Sequence, residues 1–484
     1  MLFNSFSFLA FFAILVIVYY ALPHPFRWIL LLAASLYFYA TFNVNYVLLL
    51  LASTVVAYLL AMAIGASPQL GRKRALLALG VLASLAPLFL FKYVDFFAGS
   101  LDSVLQSSFP DGSVSFSSRL NLLLPAGLSF YTFSCISYLV DVYRAKLQPE
   151  RHLGHFTLYV SFFPKLLAGP IERATTFLPQ LLSPIHLSPE NVTVGLQQVL
   201  WGLFKKVVIA DRLAIVVNSA YLNPSFASPL ALVIASYFFA FQIYCDFSGY
   251  SDIAIGAARI LGIDLMENFR RPYMATSAPE FWSKNRWHIS LSNWFRDYMY
   301  IPMGGSRVSK SRMYFNQMAV FVVSGLWHGA NWTFVIWGAL NGLYQVVTLI
   351  TEGGRDKIAK LIRLPAALGS ILGAFVTFHL VLIAWVFFRA KTVTDAFDIL
   401  GVMAGAIPRL PALIASYPFT GELILSFVLI LALLVIEILD ERRPLTDRLA
   451  EQPRVLRWGY YYALLVCLVV IGKWGLSQFV YMQF

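Results

Sequence analysis

The chain has 484 residues, of which 59% are apolar and 12% charged, with a formal net charge of +12. Soluble domains carry about 25% charged residues, so most of this length cannot face water. The basic excess sits in short loops between apolar runs, the pattern the positive-inside rule produces. That distribution argues against nucleic acid as a partner. The three cysteines, Cys135, Cys245 and Cys467, each lie inside an apolar run. They form no metal-type spacing and no even disulfide set, so no metal site is expected.

The opening stretch, residues 1–22, lacks a positive leader and a small-residue cleavage site, and reads as a retained helix. A spanning helix needs about 20 mostly apolar residues. Runs of that kind lie near 4–22, 27–42, 45–64, 76–97, 120–140, 228–245, 331–350, 368–388, 422–439 and 458–480. Weaker runs at 155–171, 192–217, 253–269 and 314–327 are short, or broken by Pro164, Pro170 or Lys205-Lys206. Broken runs of this type line cavities or re-enter. The expected fold is all-α: a polytopic membrane helical bundle of about 10–12 transmembrane helices, with re-entrant and interfacial helices around a central funnel. One membrane domain is expected over 1–484, since linkers, low-complexity tails and internal repeats are missing from the sequence.

Loop charge sets an orientation. Arg72, Lys73 and Arg74 precede a loop holding Asp102, Asp111 and Arg119, and Arg144, Lys146 and Arg151 follow. Alternation then places 71–74 and 144–151 in the cytoplasm, together with 355–363 and 441–457. The last span would deliver Phe484 to the outer face.

Residues 270–312 differ from the rest, with eight of the 36 basic residues and three of the 11 tryptophans. They read as a basic amphipathic, cytoplasm-facing segment. An interfacial anchor would have this composition. So would a platform for an anionic donor such as the phosphates of coenzyme A, which Arg and Lys suit by charge and geometry. Directly after it, within 314–350, His328 lies in Gly325-Leu326-Trp327-His328-Gly329-Ala330. Thirteen residues of helix from 315 to 327 give about 20 Å, so His328 should stop inside a hydrocarbon core about 30 Å thick. A lone intramembrane histidine can simply bond a neighbouring helix. Trp327, Asn331 and the two glycines make this spot polar and open, which favours a functional role. A hydroxyl is a poor nucleophile at neutral pH, and a histidine can take its proton during attack on a thioester. The membrane interior keeps water from the activated acyl group.

An ordered series of motifs runs along the chain. It comprises Leu124-Pro125-Ala126-Gly127-Leu128-Ser129-Phe130-Tyr131, Asp141-Val142-Tyr143-Arg144, Leu167-Ala168-Gly169-Pro170-Ile171-Glu172-Arg173, Asp246-Phe247-Ser248-Gly249-Tyr250-Ser251-Asp252, Glu267-Asn268-Phe269, Arg286-Trp287-His288-Ile289-Ser290-Leu291-Ser292 and Trp327-His328-Gly329-Ala330. This series resembles the membrane-bound O-acyltransferase superfamily, in particular its bacterial alginate O-acetyltransferase-like branch. The resemblance implies His328 as the catalytic histidine. It implies His288, on the second motif, as a residue that orients the acceptor or stabilises charge. Trp327, Asn331, Arg286, Trp287, Ser290 and Asp246 are then expected to line the donor path or funnel. The ending Phe479-Val480-Tyr481-Met482-Gln483-Phe484 is similar to a terminal Phe-x-Tyr-x-x-Phe pattern of this branch, which implies Tyr481 as an acyl relay; an interfacial aromatic anchor is the plainer account.

The implied activity is transfer of an acyl group, acetyl by resemblance, from a cytoplasmic thioester such as acetyl-coenzyme A to an extracytoplasmic polysaccharide. No permanently bound cofactor is expected. An extracytoplasmic SGNH-like acetyltransferase partner would finish the transfer, since the sequence carries no Ser-His-Asp domain. The implied location is the bacterial inner membrane, with lipid around the bundle. D-alanyl transfer and lipid or protein acylation within the same superfamily remain open. A transporter would instead predict paired broken helices in two related halves.

Overall fold

The structure is a computed structural model that describes residues 1–108, 122–282, 286–363, 365–443, 448–449, 451–475 and 479–480. Asp111, Arg119, residues 283–285, Tyr481 and Phe484 therefore lie outside the described residues. The described elements are all helical.

Chain order begins with α1 (Phe6–Ala21), α2 (His24–Ala40) and α3 (Val44–Ala66). Helix α4 follows (Leu70–Leu88), runs through a π turn at Phe89–Tyr93 and continues as Val94–Ser108. Then come α5 (Leu128–Tyr143), α6 (Leu153–Ser161) and α7 (Pro189–Leu203), which continues through a second π turn, Phe204–Ala210, to Leu222. Helix α8 (Pro229–Ile260) is the central post, 32 residues long and buried almost throughout. Beyond it lie the short α9 (Ile289–Phe295), with a third π turn at Arg296–Tyr300, then α10 (Lys310–His328), α11 (Trp332–Leu361), α12 (Ala366–Arg389), α13 (Val393–Ala406), α14 (Gly421–Arg442) and α15 (Arg454–Val470). Small polar residues start several of these helices. Asn43, Ser228, Ser309 and Asn331 each accept a backbone N–H of the first turn. Thr392 and Asp395 form a reciprocal capping box on α13.

Seven helices among the described residues are long and apolar enough to cross a membrane, fewer than the ten to twelve expected. The differences have identifiable causes. The run at 120–140 yields α5, only 16 residues long and buried on nearly every side, so it is an internal helix. The runs at 228–245 and 253–269 belong largely to one helix, α8. The run at 458–480 stops as a helix at Val470, and Phe479 and Val480 are buried again inside the bundle. Conversely, Val393–Ser416 qualifies as a span although Pro408 and Pro411 interrupt it.

The basic segments meet at one end. Arg144 donates to the Asp297 carbonyl at 3.1 Å, and Arg173 lies 3.6 Å from the Asp297 carboxylate. Gln345 donates to the Ala278 carbonyl at 3.0 Å, and Arg271 pairs with Asp440 and Glu441. These contacts gather Arg144 and Arg173 with Asp297, and Arg271 with Asp440 and Glu441, at a basic end from which the stretch around His288 leads inward.

Helices α10 and α11 form a tight hairpin. A Cβ on Gly325 would fall 2.3 Å from the Phe334 carbonyl oxygen, and one on Gly338 would fall 2.3 Å from the Phe321 carbonyl oxygen. Small residues allow this backbone approach, the main source of helix association in lipid. Gly338→Ala should therefore push the hairpin apart and cost about 1–3 kcal/mol by overpacking. A melting curve of the detergent-solubilised variant checks this; no fall in melting temperature would show that the crossing is looser than described.

Candidate active site

Helix α10 carries His328 as its last residue. Eighteen rises from Lys310 place it roughly 27 Å along the axis from the basic end. Counted from Phe315, the distance is the same roughly 20 Å that the spacing implies. One turn beyond, the Asn331 amide donates to the Lys391 carbonyl at 3.0 Å.

The second histidine arrives by a different route. Residues 268–270 run beside 286–290: Arg270 N donates to Arg286 O at 2.9 Å, and Ile289 N donates to Asn268 O at 2.9 Å. Asn268 anchors this crossing further. Its side-chain oxygen accepts from Ser290 N at 3.2 Å and Ser290 Oγ at 2.6 Å, and its amide donates to Ser251 Oγ on α8 at 3.2 Å. His288 sits at the bend, with φ 42° and ψ 56°, and caps α9. A left-handed backbone at a non-glycine residue is uncommon and must be held by its surroundings, which these bonds do.

The two rings meet with centroids 6.3 Å apart. Both side chains are buried, His288 fully and His328 with 4% exposure. Around His328 stand Trp327 at 4.9 Å, Trp337 at 4.9 Å and Phe388 at 5.4 Å. Around His288 stand Phe247 at 4.6 Å and Trp327 at 6.2 Å. This aromatic box excludes water from both imidazoles.

A cavity of about 350 Å³ opens on the side of the basic end; neither histidine lines it, although residues close to both in sequence do. Its walls include Trp282, Leu291, Ser292, Arg296, Ser324 and Gln345. Ser324 lies one helical turn before His328 on α10, and Leu291 lies three residues after His288. The volume falls within the roughly 300–1,000 Å³ of small-molecule sites.

The other sequence-derived candidates divide in two. Trp327 belongs to the box and stacks on Phe133 at 5.2 Å. Trp287 is fully buried and stacks on Phe281 at 5.5 Å. Ser290 holds Asn268 and so sets the bend at His288. Asn331 caps α11 through Thr333 N. Arg286 faces a carboxylate cluster, with Nε 2.8 Å from Glu280 Oε1 and Nη2 2.9 Å from Glu441 Oε1. Burial acts to raise the Glu280 carboxyl, but the Thr276 bonds and the Arg286 charge outweigh it and hold the group below the usual carboxylate range. Asp246 pairs with Lys206 at 2.6 Å and accepts Val480 N at 2.7 Å, so it serves an ion pair deep in the bundle. Tyr481, the expected relay, lies outside the described residues; its neighbour Val480 is 6% exposed.

Several site residues escaped the sequence reading. Trp337 and Phe388 complete the box but belong to ordinary apolar runs. Asn268 was visible only as part of a motif. Lys92 was detectable: it is a lone cation inside the apolar run 76–97, and such residues are functional candidates by rule.

The family described as MBOAT, membrane-bound O-acyltransferase, matches residues 35–388. A peptidoglycan O-acetyltransferase of Helicobacter pylori is 37% identical over 407 residues, covering 79% of this chain and 74% of that protein. A protein of Pseudomonas aeruginosa named probable alginate O-acetylase AlgI is 38% identical over 398 residues, covering 81% and 72%. A teichoic acid D-alanyltransferase of Bacillus subtilis is 28% identical over 325 residues, covering 64% and 77%. Two motif histidines face each other inside a helical bundle whose apolar helices suit a bilayer, and the match runs across most of the chain; this protein belongs to the membrane-bound O-acyltransferase family and is an integral, multi-pass O-acyltransferase.

Proposed function

We propose that the protein moves an acetyl group from a cytoplasmic thioester, acetyl-coenzyme A by chemistry, to a hydroxyl of an extracytoplasmic polysaccharide. The observation that carries this reading is the 6.3 Å meeting of His328 and His288 in a water-excluding box. His328 acts as general base. It takes the proton of an acceptor hydroxyl while the oxygen attacks the thioester carbonyl. The new C–O bond forms, the C–S bond breaks, and the leaving thiolate recovers the proton from the imidazolium. His288, whose ring lies 6.3 Å from that of His328, orients the acceptor or offers charge to the developing oxyanion.

The cavity supports a donor path from the basic end. Its apolar walls suit the extended arm of a thioester, and Arg296 stands at its margin for the phosphates. The positive-inside rule places the basic end in the cytoplasm, the bacterial inner membrane being the setting. The position of His328 toward the far end of α10 suits an acceptor that comes from outside. Two of the cited relatives named for O-acetylation are 37% and 38% identical, against 28% for the D-alanyltransferase, which favours acetyl over D-alanyl. An SGNH-like partner outside the membrane would place the group on its final sugar, and Tyr481 is the candidate relay toward it.

Mass spectrometry of cell-envelope glycans from a deletion strain, with and without the wild-type gene restored, tests this. O-acetyl esters should vanish on deletion and return on restoration. Loss of D-alanyl esters would replace the acetyl reading, and altered lipids with unchanged glycans would replace the polysaccharide.

A further inference from the structure

The last turn of α10 ends inside the bundle, with Trp327 5% and His328 4% exposed. Helix termini leave four carbonyl groups without an intrahelical partner. In α10 these belong to Gly325, Leu326, Trp327 and His328. Gly329 N reaches the first at 3.3 Å. The other three are reached by two consecutive side chains of another helix. Tyr93 OH donates to Leu326 O at 2.8 Å, and Lys92 Nζ donates to Trp327 O at 2.8 Å and to His328 O at 2.9 Å. Both donors sit on the π turn Phe89–Tyr93 of α4. Such turns recur where a helix must present side chains at a functional site. A cation at a helix C-terminus also meets the negative end of its dipole.

We propose that Lys92 and Tyr93 are positioning residues for acyl transfer. They grip the peptide groups from which the His328 imidazole hangs and so fix its aim at the substrate. The proposal rests on the reading of His328 as the catalytic base. Three things make the grip specific. It falls on the histidine's own carbonyl and on the two before it. It comes from a helix more than two hundred residues away in sequence. Beyond His328 the chain leaves the helix at once, with Gly329 at φ −163° and ψ 148°, so α10 itself offers the histidine no following turn.

A purely structural cap would change how much protein folds without changing what each folded molecule does. Positioning changes turnover per molecule, because misplacement by about 1 Å can cost on the order of 100-fold. The test uses the full chain in proteoliposomes supplied with acetyl-coenzyme A, with folded protein quantified by size-exclusion chromatography. Lys92→Met should lower kcat roughly 10- to 100-fold while KM for the donor stays within about twofold, and Lys92→Arg should recover part of the loss. Tyr93→Phe removes one bond and should lower kcat several-fold with the fold intact. Should Lys92→Met yield no folded protein, Lys92→Arg and Tyr93→Phe decide the matter by the same split. Wild-type kcat per folded molecule in Lys92→Met, or in Tyr93→Phe, overturns the proposal. A fully active His328→Ala would instead overturn the catalytic assignment beneath it, and the two failures are distinct.

Discussion

His328→Ala is expected to reduce acyl transfer by about 10²- to 10⁴-fold, the range a positioned general base contributes, while the protein remains folded. The fold should survive because the histidine is not what holds the box together. Trp337 stacks on Trp385 at 5.8 Å and packs edge-on against Phe388 at 5.3 Å, and these contacts stay. The end of α10 keeps its three carbonyl bonds from Lys92 and Tyr93, since all go to backbone. His328→Gln keeps a polar group of similar reach but no proton acceptor of imidazole type, and should be almost as inactive. His288→Ala should lose less than His328→Ala, since orientation or charge stabilisation is partial where proton removal is not. It also empties a fully buried side-chain site, so a fall in melting temperature should accompany the partial loss of activity. Acetyl-ester content of the envelope glycans, normalised to folded protein, reads all three. His328→Ala cells with wild-type acetyl-ester levels would remove the imidazole from the mechanism.

The bundle was legible in the sequence because apolar runs of span length leave few alternatives in a chain this poor in charge. What could not be read was which apolar run faces lipid and which faces protein. Helix α5 shows why: lipid and a protein interior are both apolar solvents, so Leu128–Tyr143 looks like the end of a span yet is enclosed by neighbours. Helix α8 shows the converse error. The runs 228–245 and 253–269 were read apart, but Lys206 lies 2.6 Å from Asp246 and Lys205 2.5 Å from Asp252, so one helix continues through the acidic residues between them. The basic pair Lys205-Lys206, which seemed to interrupt its own run, is what permits this. The site was legible only in part. His328 stood out by depth and by flanking glycines. No spacing rule joins it to His288, forty residues earlier, and only the resemblance linked them. Asn331 and Arg286 were expected along the funnel from the resemblance; the contacts that could not be read are that Asn331 caps a helix and that Arg286 bridges Glu280 and Glu441.

Lys206→Met is expected to be the most destabilising single change in the bundle outside the site. The ammonium lies 2.6 Å from Asp246 and 2.8 Å from Asp211, and the lysine side chain is 0% exposed. Removing it leaves two buried carboxylates without the cation between them, and losing one partner of a buried ion pair costs about 3–5 kcal/mol. The damage should spread to the end of the chain. The Phe479 ring packs under the ammonium at 4.5 Å, and Val480 N donates to the second oxygen of Asp246. Neutralising all three together, as Lys206→Met with Asp211→Asn and Asp246→Asn, should restore most of the stability. The charges then vanish with little change of volume, and an asparagine oxygen can still accept Val480 N. Melting temperatures of the single and triple variants in detergent carry the test. If the single variant melts with the wild type, the cluster is hydrated and contributes little. If the triple variant is no better than the single, loss of packing and not loss of charge is responsible. Recovery in the triple would mean that the three charges add little net stability, and that their value lies in allowing α7, α8 and the returning C-terminal segment to meet in only one register.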